Sequence, residues 1–250
     1  MTTVQTTPLQ RVEAALAESW RGYPGEWTTF GPLSAVYAGP DLPINVALGE
    51  TDQENAAEVL AQIEDFYALH SQAAALLVHS HAHPALFTAL AARNYHLDYL
   101  LHTYACTLSS ASSAPVFDVE EMTPDEWAEI TPQAFGAQSR EMMRLAAGVP
   151  DVLRLGVRRG GQWAGFGAVT VMPDAQGGVA LLFSAGTLPE FRGQGIQSVL
   201  LAARLQSARE QGATLAAVDV APNSVSERNV KRAGFEMVGA RLNFVQAQPL

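Results

Sequence analysis

Apolar positions along the chain fall into two kinds of run. Short, nearly unbroken stretches such as Ala74–His79, Val179–Phe183 and Ala213–Val220 read as buried strands. Longer stretches with apolar residues three and four apart, Asn55–His70 and Ser198–Glu210, read as amphipathic helices. Val152–Arg158 and Trp163–Val171 flank Arg159-Gly160-Gly161-Gln162, the pattern of a hairpin. After a strand at Val116–Val119, Thr123-Pro124-Asp125-Glu126 predicts a helix start. Thr123 is its N-cap, Pro124 takes the first helical position, and Glu126 closes a capping box. Further helices are expected near Gln138–Ala147 and Pro84–Asn94, and strands at Tyr95–Ala105 and Phe235–Val245. The mixture predicts an α/β (α+β) chain.

The small polar stretch Ser109–Pro115 reads as a linker between two apolar-patterned halves. Residues 1–108, 109–115 and 116–250 are therefore expected as domain, linker and domain. An offset of 140 residues brings the halves into register: helix Asn55–His70 falls on Ser198–Glu210, and strand Ala74–His79 on Thr214–Asp219. Pro84–Asn94 then falls on Ser224–Gly234, and Tyr95–Ala105 on Phe235–Val245. Few side chains are identical; the match is one of apolar pattern and element length.

Chemistry concentrates where the Val179–Phe183 strand runs through Pro189-Glu190-Phe191-Arg192-Gly193-Gln194-Gly195-Ile196-Gln197 into a helix. Glycines there allow a tight turn with successive N–H groups facing one concavity, at a helix N-terminus that favours a phosphate. Arg192 adds a permanent cation. No Lys-Ser/Thr follows the glycines and their spacing is not G-x-G-x-x-G, so neither a Walker loop nor a dinucleotide fingerprint is supported.

The stretch resembles the acetyl-CoA loop of the GNAT superfamily of N-acetyltransferases, Arg/Gln-x-x-Gly-x-Gly/Ala. Arg192 and Gly195 match, and Gln197 departs at the last position. Ala185-Gly186-Thr187 stand where the superfamily's preceding strand offers backbone groups to the pantetheine arm. Pro222-Asn223, the Ser226–Ala233 segment and Gly234-Phe235 resemble its following turn, helix and last strand. The likeness covers most of Pro115–Gln248. It implies tandem GNAT-like domains, each a central, mixed, mostly antiparallel sheet flanked by helices. It also implies acetyl-CoA held by Ala185, Gly186, Thr187, Arg192, Gly193, Gln194, Gly195, Ile196, Gln197 and Asn223. In the first half Asp52, Gln53, Glu54 and Asn55 replace Arg192–Gly195, so that copy is expected to be degenerate and CoA-blind.

Two superfamily features are displaced. Val230 stands where the resemblance places a tyrosine acid. The position of the usual carboxylate base holds Val218, with Asp219 next to it. Strand alternation sends those two side chains to opposite faces, so Asp219 is the candidate base only if a bulge re-aims it. Glu190 and Glu227 read as surface charges. Arg228 and Asn229 lie near the same pocket, and Ser184 faces an acceptor or packs.

The formal net charge of −10 argues against a nucleic-acid partner and suits a small amine. No apolar run approaches a membrane span and no signal-peptide pattern opens the chain. Cys106 is the sole cysteine, which excludes an intrachain disulfide and makes a cytoplasmic location the default. His79-Ser80-His81-Ala82-His83 shares a strand face at its His residues but has no companion ligands, so no metal is expected. His96, His102, Trp20, Tyr23, Trp27 and Phe30 read as ordinary strand, core or interface residues. The expected activity is acetyl transfer to a small amine in a ternary complex, with homodimerisation left open. The alternatives are a non-catalytic acyl-CoA-binding module or transfer of another acyl group.

Overall fold

A computed structural model of the chain describes residues 6–49, 55–109 and 118–247. The expected linker residues Ser110–Pro115, the first half of the Val116–Val119 strand, and Asp52, Gln53 and Glu54 lie outside these residues. In chain order the elements are α1 (Pro8–Trp20), β1 (Glu26–Phe30), β2 (Leu33–Tyr37), β3 (Ala47–Leu48), α2 (Ala56–Leu69), β4 (Ala75–His79), α3 (Pro84–Ala92) and β5 (Tyr95–Thr107). Then come β6 (Glu120–Glu121), α4 (Pro124–Phe135), α5 (Arg140–Ala147), β7 (Leu153–Arg159), β8 (Gln162–Met172) and β9 (Val179–Thr187). The chain finishes with α6 (Ile196–Glu210), β10 (Leu215–Val220), α7 (Val225–Arg232) and β11 (Glu236–Gln246).

These elements form two compact units, residues 1–23 with 104–238, and residues 24–103 with 239–250. This division differs from the expected sequential one. The first turn of the chain's order is broken by α1, whose Val12 and Ala15 pack with Val179, Leu181, Leu215 and Ala217 of the later half. The last strand breaks it again: Arg241–Val245 of β11 pairs antiparallel with Ala75–His79 of β4. Both exchanges rest on long-range contacts that a linear composition profile does not register.

In the first unit the strands run β5-β10-β9-β8-β7-β6. Neighbours from β6 to β9 are antiparallel, and β9 with β10 is parallel. Ala180, Leu182, Ala216 and Val220 pack with Leu201, Leu205 and Ala208 of α6 and Val230 of α7. The alternate residues of the same strands, Val179, Leu181, Leu215 and Ala217, meet α1 on the opposite face. Trp127 and Ile130 of α4 and Ala147 of α5 cover Phe166 and Ala168.

Both helix starts facing that side carry capping boxes. Thr123 and Glu126 cap α4 as the pattern predicts, and Thr7 and Gln10 cap α1 in the same way, with Pro8 and Pro124 opening the helices. The α1 box is a sequence signal as clear as the other, and the apolar pattern alone passes over it. The far end of α5 is closed by Arg154, buried, which donates to the carbonyls of Ala146, Ala147, Val149 and Val152 at 2.8–3.1 Å. A cation is the favoured occupant of such a helix C-terminus.

The second unit has the order β1-β2-β3-β4-β11-β5, with β3 and β4 parallel. Its core joins Leu60, Ile63 and Tyr67 of α2, Leu86 and Leu90 of α3, and Leu76 and Val78 of β4. Helix and strand starts recur with the offset seen in the sequence: Ala56 and Ile196 are 140 residues apart, as are Ala75 and Leu215.

Arg11 ties α1 to the β8–β9 turn. Its Nε donates to Asp174 Oδ2 at 2.6 Å, and its Nη2 donates to Gly178 O and Thr214 Oγ1. Burial pushes the Asp174 carboxyl up. The hydrogen bonds from Arg11 and from the Gln176 and Gly178 amides outweigh that and leave it below the ordinary range. A depressed carboxylate contributes stability above its unfolded value of about 3.9 and loses it as pH falls through the folded value. Asp174→Asn should therefore melt below wild type at pH 7, with the gap closing below about pH 4. A gap independent of pH in thermal melts would contradict this.

Candidate functional site

The site begins where two strands part. Parallel pairing of β9 with β10 covers only Val179–Leu181 against Leu215–Ala217 and then stops. β9 nevertheless continues to Thr187, still paired with β8. Across that second ladder the register shifts: Phe166 faces Gly186 but Ala168 faces Phe183. Ser184 and Ala185 together thus oppose Gly167 alone, a bulge, and Ser184 has φ of 44°. A bulge turns a strand out of its former plane, and here it carries the end of β9 away from β10.

Beyond β9 the chain makes a short 3-10 turn at Pro189–Phe191 and reaches α6 through Arg192–Gly195. Gly193 and Gly195 have φ of 79° and 75°, and a Cβ on either would meet nothing within 4 Å. Glycine is required there by backbone conformation, and the side facing outward is open. Among the described residues the amides of Gly193–Gln197 have no hydrogen-bond partner; the first amide to find one is that of Ser198, bonded to Gly195 O. Five consecutive unpaired N–H groups at the start of a 15-residue helix make an anion cradle. Arg192, exposed, stands beside it.

A cavity of about 680 Å³ opens on this cradle, lined by Ala185, Gly186, Thr187, Arg192, Gly193, Gly195, Ile196 and Gln197. Eight of the ten cofactor residues expected from sequence are thus brought together. Gln194 is exposed and does not line the cavity. Nor does Asn223, exposed at a φ of 59°, where it forms the turn after β10. The asparagine that does line it is Asn229, six residues further on in the second turn of α7. Gln197 reaches across to β9: its Nε2 donates to Gly186 O at 2.7 Å and to Thr187 Oγ1 at 3.0 Å. The larger side chain therefore braces the first turn of α6 against the strand and leaves the amide row open. The loop fits a pyrophosphate.

A smaller cavity, about 280 Å³, continues into the gap between β9 and β10. It shares Phe135, Ala185, Gln197, Ser226 and Asn229 with the larger one. Val218 and Asp219 both line it, because they lie beyond the last β9–β10 pair. The sequence reading made Asp219 depend on a bulge in its own strand. In the structure the bulge is on β9, and the parting of the strands brings Asp219 to the cavity edge. Val230 is buried, and among the described residues no tyrosine lines either cavity.

Glu227 corrects the expectation of a surface charge. It is 4% exposed, its Oε1 accepts from Tyr104 Oη at 2.9 Å, and its Oε2 accepts from the Asn223 amide at 2.8 Å. Lys231 Nζ lies 3.3 Å from Oε1, and Ser224 Oγ accepts from the Glu227 amide as the α7 cap. Helical periodicity places Glu227 on the polar face; the buried Tyr104, far away in sequence, gives it a partner. Glu190 is exposed, as expected.

Other candidates serve the frame. His83 Nδ1 accepts from the Ala85 amide as the α3 cap, and His79 is buried with Nδ1 accepting from His81 N. Among the described residues no group of three or more His, Cys, Asp or Glu could hold a metal ion, and no helix is long and apolar enough to cross a membrane. Burial pushes the Cys106 thiol up to about 11, which keeps it from serving as a thiolate nucleophile at neutral pH.

Residues 118–235 match the profile of the Acetyltransferase (GNAT) family. Among solved structures, the chain is similar to a GCN5-related N-acetyltransferase from Kribbella flavida, with 17% identity over 96% of this chain and 95% of that one, at a TM-score of 0.72. It is also similar to a protein described as a GNAT-family acetyltransferase from Novosphingobium aromaticivorans (14% identity, 98% and 100% covered, TM-score 0.63). A tandem GNAT protein from the clavulanic acid biosynthesis pathway has 16% identity over 87% and 79%, at a TM-score of 0.60. At such identities the likeness is one of fold. Comparison with curated proteins gives no match.

The cradle predicts that Gly195→Glu, which sets a carboxylate against the unpaired amides, abolishes acetyl-CoA binding. The left-handed backbone adds a folding cost of about 1 kcal/mol. Calorimetry showing unchanged affinity in a folded variant would remove the loop from the site.

Proposed function

We propose that this chain, whose residues 118–235 are a GNAT-family acetyltransferase domain, is an acetyl-CoA-dependent N-acetyltransferase acting on a small amine. The observation that carries the reading is the row of unpaired amides at Gly193–Gln197, opening on a cavity that runs on into the β9–β10 gap beside Asp219. Acetyl-CoA supplies an activated acyl thioester. The loop and Arg192 bind its pyrophosphate, and Ala185, Gly186 and Thr187 line the way inward. Holding thioester and amine together makes the attack effectively unimolecular, which is where much of the rate comes from.

The attacking nitrogen must first lose a proton, and in this reading Asp219, which lines the smaller cavity, takes it. Nitrogen then bonds to the acyl carbon as the carbon–sulfur bond breaks. Forming the amide releases the second N–H proton, which passes through water to the departing thiolate; among the described residues no tyrosine lines the cavity to supply it. The first half of the chain is read as a copy of the same half-fold that has lost its seat, supported by the recurring offset of 140 residues. A cytoplasmic location goes with this reading.

The absence of a tyrosine favours one alternative, an acyl-CoA-binding module without turnover. Titration with acetyl-CoA, followed by thiol release across a panel of amines, separates the two: binding with amine-dependent release supports the enzyme, and binding without it supports the module. Asp219→Asn should lower kcat by about 10²-fold or more while leaving acetyl-CoA affinity within about threefold. Unaltered turnover would exclude Asp219 as the base.

A further inference from the structure

The smaller cavity contains a charge that acetyl transfer does not use. Arg204, on α6, lines it and is 4% exposed. Its only hydrogen-bond partners among the described residues are two carbonyls. Nε donates to Leu200 O at 3.2 Å, one turn back in its own helix, and Nη1 donates to Ala168 O at 3.3 Å. No carboxylate among the described residues forms an ion pair with it. Gly167 makes room for the guanidinium, since a Cβ there would sit 2.9 Å from Arg204 Cζ. Burial alone pushes Arg204 down to about 10, so it is still a cation at neutral pH.

Holding two carbonyls requires a donor and does not require a charge. Burying an uncompensated cation is costly, and the usual remedy is an anion with good geometry. The CoA phosphates are not that anion. Arg204 lies nine residues into the helix from Gly195, roughly 14 Å along its axis from the anion cradle. What reaches the cavity from the cradle side is the reacting end of the thioester, and what meets it there is the acceptor. An acetyl methyl group offers the guanidinium nothing.

Resting on the acyl-CoA reading above, we infer that Arg204 is the counter-ion for a carboxylate on one of the two substrates. That carboxylate is either the distal end of a dicarboxylic acyl group or the acid group of an amino-acid-like acceptor. Arg204 is then a specificity residue, and its hydrogen bond to Ala168 O holds it beside the β9 bulge.

The test compares probes with and without the carboxylate. In the donor arm, succinyl-CoA and its uncharged counterpart butyryl-CoA are titrated by calorimetry, with CoA itself as reference. In the acceptor arm, thiol release is measured for L-amino acids against their amides across pH, with kcat/KM referred to the free-amine concentration of each. A charge-assisted hydrogen bond corresponds to about 10- to 100-fold. A donor carboxylate predicts that much tighter binding of succinyl-CoA. An acceptor carboxylate predicts equal thioester binding, with kcat/KM for amino acids at least about 10-fold above that for the amides. Arg204→Gln should erase whichever preference the wild type shows, and Arg204→Lys should restore part of it. Equal thioester binding without an amino-acid preference overturns the inference, whether both amines react or neither does. Failure of CoA itself to bind would instead sink the cofactor site, so the two readings fail separately.

Discussion

β9 and β10 stay paired for three residues and then separate. A parallel ladder continued to Val220 would satisfy its backbone groups and leave an unbroken sheet with nowhere to admit a ligand. The bulge at Ser184-Ala185 prevents this, because an extra residue on one strand bends it and increases its twist. The cost is a non-glycine residue at positive φ and a disturbed ladder. Arg204 offsets part of that cost through Ala168 O, within reach only because Gly167 has no side chain.

From this separation follow the two cavities and their order. The larger begins at the α6 N-terminus, where the amides of Gly193–Gln197 are unpaired because the helix has only just begun. The smaller occupies the gap itself. Gln197 joins them mechanically, holding the first turn of α6 to Gly186 and Thr187. A small residue at that position would leave the strand end without this brace.

On the α7 side the frame is electrostatic. Glu227 gathers Tyr104, the Asn223 amide and Lys231 around one buried carboxylate, so the turn after β10 and the start of α7 are held together. Removing one partner of such a group leaves a buried charge unsatisfied, which costs more than the bond itself contributes. Arg154 plays the corresponding part at the end of α5, with four carbonyls in place of an anion. Glu227 thereby fixes the turn after β10 and the start of α7 beside the site, and Arg154 fixes the end of α5.

What was legible in the sequence was local. Apolar periodicity marks α2, α6, β4, β9 and β10, the Thr-Pro-x-Glu pattern marks the start of α4, and glycine spacing marks the anion cradle, since each depends on neighbours within one or two turns of chain. The 140-residue offset was visible for the same reason. Contacts between distant residues decided the rest. The bulge on β9, the approach of Asp219 to the cavity, the replacement of Asn223 by Asn229 on its wall and the burial of Glu227 against Tyr104 all depend on how strands pair across the sheet. So does the unpaired charge of Arg204. In the sequence it is one more arginine on an amphipathic helix; only the packing of α6 over Gly167 shows that its guanidinium is buried with no counter-ion among the described residues.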